Sequence, residues 1–296
     1  MTSSGPSQVP GSTRLGERPV GIVGLGLIGG SLALDLQAKG LDVRALVHRS
    51  STAERARERG LAQRIDTDPQ LLQGCGLIVL ALPLDRLLDP PAELLAALPS
   101  EAVITDVGSV KQPVLERWQR WHPHFVASHP MAGTAEAGVE AGLSGLFRGR
   151  PWVATPNAHT DSAALALVQQ LAELVEADWL QCPAAAHDQA VALISHMPVL
   201  VSAALLEAAD RGGEAAAAAS LVRQLASSGF ADTSRIGGGN PELGTLMARC
   251  NQSAVLSALK RYRDQLEQLE ALVAQQQWGD LQQRLEGCQQ LRPEFL

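Results

Sequence analysis

The sequence predicts an α/β fold: a doubly wound, largely parallel sheet followed by an all-helical region. Three observations carry this. From Val20 to about Cys182, short β-rich apolar runs alternate with helix-like segments. A glycine-rich turn lies between the first such run and the first helix. After Pro183 the strand signal stops and the chain becomes rich in Ala, Leu and Gln. Strand–helix alternation implies a parallel sheet with helices on both faces.

Taken in order, residues 1–18 are rich in Ser, Gly, Pro and Thr and read as a flexible tail. Residues 19–183 form the first domain. Its predicted strands are Val20–Val23, Val43–Val47, Leu77–Leu82, Ala102–Thr105, Phe125–Ala127, Trp152–Ala154 and Trp179–Gln181. Its predicted helices include Ser31–Lys39, Thr52–Arg59, Pro113–Trp121 and Ser162–Glu176. Residues 184–296 form the second domain. Within it, Val191–Ala209 is apolar nearly all round, which predicts a helix buried on most sides. Arg211–Ala219 reads as a connection between helices. Leu256, Leu259, Tyr262, Leu266, Leu269 and Val273 recur at steps of three and four, one stripe of a long amphipathic helix. Such a stripe predicts a homodimer joined through the C-terminal helices.

With 46% hydrophobic and 19% charged residues, the chain can bury a core. A net charge of −7 argues against nucleic acid or an anionic membrane as the main partner. No uncharged apolar run reads as a bilayer span, and the N-terminus lacks the pattern of a signal peptide. Cys75, Cys182, Cys250 and Cys288 lie far apart, without ligand spacing. The expectation is therefore inert thiols, no metal, no membrane and a cytoplasmic location.

Gly24-Leu-Gly26-Leu27-Ile28-Gly29 follows the first strand and opens a helix from Ile28. Gly24 permits the tight turn, Gly26 lets backbone approach a pyrophosphate, and Gly29 lets the helix pack on the strand. The helix N-terminus favours the anion. In that context the turn predicts a Rossmann-type dinucleotide-binding domain. At the end of the second strand stand His48, Arg49 and Ser50 rather than the carboxylate usual for NAD. A guanidinium, a hydroxyl and a helix start are phosphate-binding groups, so the expected cofactor is NADP, with Arg49 as main anchor. Leu82 and Pro83, ending the Leu77–Leu82 run, are assigned to the same cofactor edge.

Asp106-Val-Gly-Ser109-Val-Lys111 and Ser128-His129-Pro-Met-Ala-Gly133-Thr134 each follow a strand. Strand ends of this kind face the ligand crevice. A hydroxyl from one and an imidazole from the next suit alcohol oxidation beside a nicotinamide, with the imidazole taking the hydroxyl proton. A Ser–His hydrolase would need G-x-S-x-G and would leave the glycine turn unexplained. His122, His124, His159 and His187 are expected at the surface, and Trp118, Trp121 and Trp179 in packing.

These motifs, with Ile194-Ser-His196-Met-Pro198 and Thr233-Ser-Arg235-Ile236 in the same order, resemble the prephenate/arogenate dehydrogenase family. The resemblance spans Val20 to about Lys260. It implies oxidation of a cyclohexadienol at ring C4 with loss of the ring carboxylate as CO2, in tyrosine biosynthesis. By motif position His129 resembles the catalytic base, and Ser109 the serine that binds the 4-hydroxyl and the histidine. Arg235 resembles the arginine that binds a substrate carboxylate, and His196 a second active-site histidine. Gly133 and Thr134 fall among the substrate-binding positions. Some members carry an acid directly after this Gly-Thr, where this chain has Ala135, with Glu136 next. That sequence, the NADP-type turn and the absence of a regulatory or mutase segment are most like arogenate-specific members. Prephenate is the alternative substrate. A β-hydroxyacid dehydrogenase would need a catalytic lysine that Lys260 does not match, and a non-catalytic NADP sensor would not need the Ser109 and His129 pair.

Overall fold

The computed structural model describes residues 14–134, 136–211 and 216–295, excluding the side chains of 216–219. Most of the tail, Ala135 and the 212–215 link lie outside the described residues. The first half alternates as expected: β1 (Val20–Val23), α1 (Leu27–Ala38), β2 (Val43–Leu46), α2 (Ser50–Glu58), β3 (Arg64–Asp66) and β4 (Leu77–Leu80). Two short helices, α3 (Leu84–Leu88) and α4 (Ala92–Ala97), lead to β5 (Val103–Asp106), α5 (Gln112–Trp121) and β6 (Phe125–Val126). These six strands form one parallel sheet in the order β3-β2-β1-β4-β5-β6. The order reverses between β1 and β4, the switch point at which such sheets bind ligands.

The predicted strand Phe125–Ala127 ends sooner than expected. At Ala127 the chain leaves the first sheet and enters a second, made of β7 (Ser128–Pro130), β8 (Pro151–Ala154) and β9 (Asp178–Gln181). The connecting helix α6 (Ser162–Leu174) returns the chain so that β9 pairs parallel to β8, while β7 pairs antiparallel to it. The switch is held by buried polar bonds. Thr105 Oγ1 donates to the Val126 carbonyl (2.8 Å), and the Trp152 indole donates to Ser128 Oγ (3.0 Å).

Both faces of the first sheet are covered. Ile22, Leu32, Leu36 and Val79 pack on one side with Phe147, Trp152 and Val168. Ile78, Leu80, Ile104, Val114 and Trp118 pack on the other. Trp118 is fully buried and donates to the Leu87 carbonyl, whereas Trp121 lies at the surface with its ring edge against Trp118. Trp179 is half-buried against the first cluster.

The helical half comprises α7 (Ala184–Val191), a π-turn at Ala192–His196, α8 (Met197–Arg211), α9 (Ala216–Leu225), α10 (Ser228–Ser234), α11 (Pro241–Cys250), α12 (Gln252–Ala274) and α13 (Trp278–Leu291). The Ala run read as connection is thus partly helix, since α9 begins at Ala216. Pro198 lacks an N–H for the turn before it, and the π-turn lies in that turn.

Two expectations need correction here. The Val191–Ala209 segment is not buried on most sides: within α8 only Ser202 is buried, and Ile194 is 58% exposed. Moreover α7, the π-turn and α8 run on as one 28-residue helix, Ala184–Arg211, long and apolar enough by length and composition to cross a membrane. Its first half nevertheless carries the buried polar residues His187, Asp188 and His196, which join the site described below. The sequence shows that the segment is apolar, but not which surface covers it.

Candidate active site

The glycine turn forms as the sequence predicts. Gly24 sits at φ +97°, and a Cβ there would lie 2.4 Å from the Ala81 carbonyl oxygen. A Cβ on Gly29 would lie 2.0 Å from the Gly24 carbonyl, so α1 can approach β1 only through glycine. Gly26 caps α1, one residue earlier than expected, and faces open space. The first turn of α1 has no side-chain cap and no acidic residue, which leaves its N–H groups for an anion. Leu27 and Ile28 are half-buried beside it. Across the switch point Leu82 is half-buried, and exposed Pro83 caps α3. His48, Arg49 and Ser50 are all exposed where β2 runs into α2. Among the described residues Arg49 forms no ion pair, and α2 carries no side-chain cap or first-turn acid. A dinucleotide phosphate fits this cradle: Gly26 faces open space, the donors are uncapped and the Arg49 guanidinium is exposed.

His129 lies on β7, paired with Val153 of β8. The β5–β7 junction beneath it is a buried network. Lys111 and Asp106 form an ion pair with both side chains fully buried. Asp106 also accepts from the backbone N–H groups of Gly108 (2.9 Å) and Ser128 (3.2 Å), while Lys111 Nζ donates to the Ser128 carbonyl (2.6 Å). Burial pushes Asp106 up and Lys111 down, and each partner's charge works against that drift. Ser109 is half-buried on the loop between β5 and α5. Among the described residues no hydrogen bond joins Ser109 to His129, so the expected pair is not bonded in this structure.

The bonded partner of His129 is instead His187. His129 Nδ1 lies 3.0 Å from His187 Nε2, with the rings edge to face. His187 Nδ1 lies 2.8 Å from Asp188 Oδ1. Asp188 in turn accepts from the backbone N–H groups of Lys111 (2.7 Å) and Gln112 (2.9 Å), so it caps α5 from α7. This corrects the surface assignment of His187, which is only 3% exposed. His122 is also buried, against the Pro99 carbonyl, and His124 is half-buried against Asp161 (2.7 Å); His159 is exposed as expected. The signal available for His187 was the adjacent His-Asp pair in the first turns of an apolar helix.

Burial holds His129 well below the usual histidine range, and the nearby Lys111, His187 and His196 add to this. His196, 2% exposed on the π-turn, is pushed down to about 4, again chiefly by burial. Its Nδ1 faces the Asn251 amide (3.3 Å), and that amide donates to the Asp188 carbonyl (2.7 Å). His196 Nε2 is buried without a hydrogen-bond partner among the described residues. Two neutral imidazoles thus belong to one buried neighbourhood.

Arg235 takes part in none of these bonds. It is exposed, on a single 3-10 turn (Arg235–Gly238) packed against α8. Ser202 of α8 holds this turn, donating to the Thr233 carbonyl (3.0 Å) and accepting from Gly237 N–H (2.9 Å). Among the described residues Arg235 has no ion-pair partner. Gly133 and Thr134 are exposed on the loop after β7, where Thr134 Oγ1 accepts from the Glu136 N–H (3.2 Å). No cluster of metal-ligating residues occurs among the described residues, and the four cysteines are free, with Cys75 buried and Cys288 exposed.

Comparison with known proteins gives the family. Residues 32–180 match the family described as "Prephenate dehydrogenase, nucleotide-binding domain", and residues 183–287 match "Prephenate dehydrogenase, dimerization domain". A cyclohexadienyl dehydrogenase of Zymomonas mobilis is 31% identical over 92% of this chain and 94% of its own length. The crystal structure of Synechocystis arogenate dehydrogenase superposes with a TM-score of 0.82 at 42% identity, covering 94% of this chain and 100% of that one. A prephenate dehydrogenase from Aquifex aeolicus, crystallised with hydroxyphenyl propionate and NAD+, gives a TM-score of 0.88 at 25% identity over 95% and 99%. The chain therefore belongs to the prephenate dehydrogenase family and is an oxidoreductase of the prephenate/arogenate type.

Proposed function

We propose that this protein is a cytoplasmic, NADP-dependent homodimer that converts L-arogenate to L-tyrosine by oxidative decarboxylation. The observation that carries the reading is His129: a half-buried imidazole on β7, just after the first sheet ends, pushed well below the usual histidine range chiefly by desolvation. A neutral imidazole can take the proton of the substrate 4-hydroxyl, and desolvation, with the Lys111 charge adding to it, disfavours its protonation beforehand. Ser109, half-buried on the neighbouring loop, orients the hydroxyl. His196, whose Nε2 is unpartnered among the described residues, and Arg235 serve the substrate carboxylates, with Gly133 and Thr134 among the substrate-binding positions. The nicotinamide, when bound, supplies the acceptor for hydride from ring C4. Loss of CO2 makes the ring aromatic and drives the step forward. Gly24, Gly26, Leu27, Ile28 and Gly29 hold the pyrophosphate, with Leu82 and Pro83 across from them. Arg49, supported by His48 and Ser50, binds the 2′-phosphate.

Arogenate is favoured by the 42% identity to the Synechocystis enzyme, and NADP by the turn after β2, which has no carboxylate. The second reading, prephenate oxidised to 4-hydroxyphenylpyruvate, is favoured by the Aquifex aeolicus relative and its NAD+. Nicotinamide absorbance, followed with each substrate and each cofactor, separates the two. The expected result is the highest kcat/KM for arogenate with NADP+. A preference for prephenate or NAD+ would overturn that part of the reading, and no reduction in any combination would indicate a non-catalytic nucleotide binder.

A further inference from the structure

We infer that His187 and Asp188 form a proton relay behind His129, so that the proton taken from substrate comes to rest on His187. The inference rests on the reading of His129 as the base. It begins from hydrogen-bond direction. Asp188 accepts from the backbone N–H groups of Lys111 and Gln112, one on each carboxyl oxygen, and as a carboxylate it can only accept. His187 must then present Nδ1–H to Asp188 Oδ1 (2.8 Å). In a neutral His187 this leaves Nε2 as an acceptor, and among the described residues the group bonded there is His129 Nδ1 at 3.0 Å. His129 therefore carries its proton on Nδ1 and a lone pair on Nε2. Two residues outside the motif of the base thus select the tautomer that can accept a proton.

The surroundings set the direction of transfer. An imidazolium on His129 would be desolvated and would face Lys111 and His196. An imidazolium on His187 would lie directly against the Asp188 carboxylate. When His129 Nε2 gains the hydroxyl proton, its Nδ1 proton moves to His187 Nε2, and His187 keeps Nδ1–H on Asp188. His129 ends neutral, His187 ends with the positive charge, and both electrons of the broken C–H bond leave with the hydride. The relay therefore moves one proton and no electrons. Asp188 also lines a cavity of about 630 Å³ with Gln112, Asn251 and Arg261.

His187→Gln tests this without disturbing the α5 cap that Asp188 provides. The glutamine carbonyl can still accept from His129 Nδ1–H but cannot become a cation. The measurement is single-turnover nicotinamide reduction in mixtures of H2O and D2O, together with cofactor and substrate affinity. In the wild type the inventory should curve, with two protons in flight. In His187→Gln it should become linear, the rate should fall by about 100-fold, and both affinities should stay within about twofold. His187→Ala should fall further and recover in part with added imidazole. A linear wild-type inventory, which needs no variant, would overturn the relay. So would a His187→Gln rate within threefold of wild type while His129→Ala is inactive. If His129→Ala itself remains active, the base assignment fails first.

Discussion

The two halves of the chain solve burial differently. The α/β half is finished within one chain: both faces of its sheet are covered, and its fully buried Lys111 and Asp106, like Thr105 and Ser128, are paired with one another. The helical half is not. Among the described residues its own core cluster has Ala192, Val255 and Ala258 as buried members, while Leu225, Leu256 and Leu266 stand 71%, 59% and 51% exposed. Apolar helices left open in this way are completed by a second surface, and this region matches a dimerization domain. The lesson is that apolar content in a sequence predicts burial but not which chain provides it. Chemistry divides along the same line. On the proposed reading the chain just after a strand end provides the base, and the helices provide His187, Asp188 and His196 around it.

That contrast can be broken at several points, the largest effect coming from the finished half. Lys111→Met would leave Asp106 buried without its cation. Losing one partner of a buried pair costs about 3–5 kcal/mol, so the melting temperature should fall sharply; a variant that melts like wild type would show that the pair is dispensable. Arg49→Ala should weaken NADP+ but leave NAD+ nearly unchanged. The lost charged contact is worth about 1.5–3 kcal/mol, and equal losses for both cofactors would make Arg49 structural.

Smaller effects are expected in the helical half. Arg235→Gln keeps volume but loses the fork that binds carboxylate. It should raise the substrate KM by about tenfold, if it removes a charged contact of ordinary strength, with no change in NADP+ affinity or melting. Leu266→Lys on exposed α12 should leave the α/β half folded but shift the assembly toward monomer in sedimentation. A dimer as tight as wild type would place the interface elsewhere.

Acid provides a further separation of the two halves. His196 is held near 4, below its value in an unfolded chain. Between about 6.5 and 4 the unfolded state therefore binds the additional proton, and stability should fall as pH drops through that window. His196→Gln should reduce the slope of stability against pH there, as measured by urea unfolding, and an unchanged slope would place the proton uptake on His129 and His122 instead.

Much of the α/β half was legible because its signals are local. The glycine turn, the strand ends at Asp106 and His129, and the carboxylate-free turn at Arg49 are each read within a few residues. The partners of His129 were not. His187 lies 58 positions away, and Asp188 reaches Lys111 across 77. Nothing in the periodicity of α7 distinguishes an inward histidine from a surface one. The change of sheet at Ala127 was also hidden, since a run of apolar residues does not say where its pairing partner changes.

The claim on which the rest depends is that His129 is the base and is neutral at working pH. The direct measurement is kcat/KM against pH for wild type and His129→Ala, with NADP+ affinity measured in parallel. The account predicts an acid limb below the usual histidine range in the wild type. In the alanine variant that limb should disappear, with a loss of about 10²–10⁴-fold and unchanged NADP+ affinity. An alanine variant within a few-fold of wild type, or one that keeps the same acid limb, would contradict it.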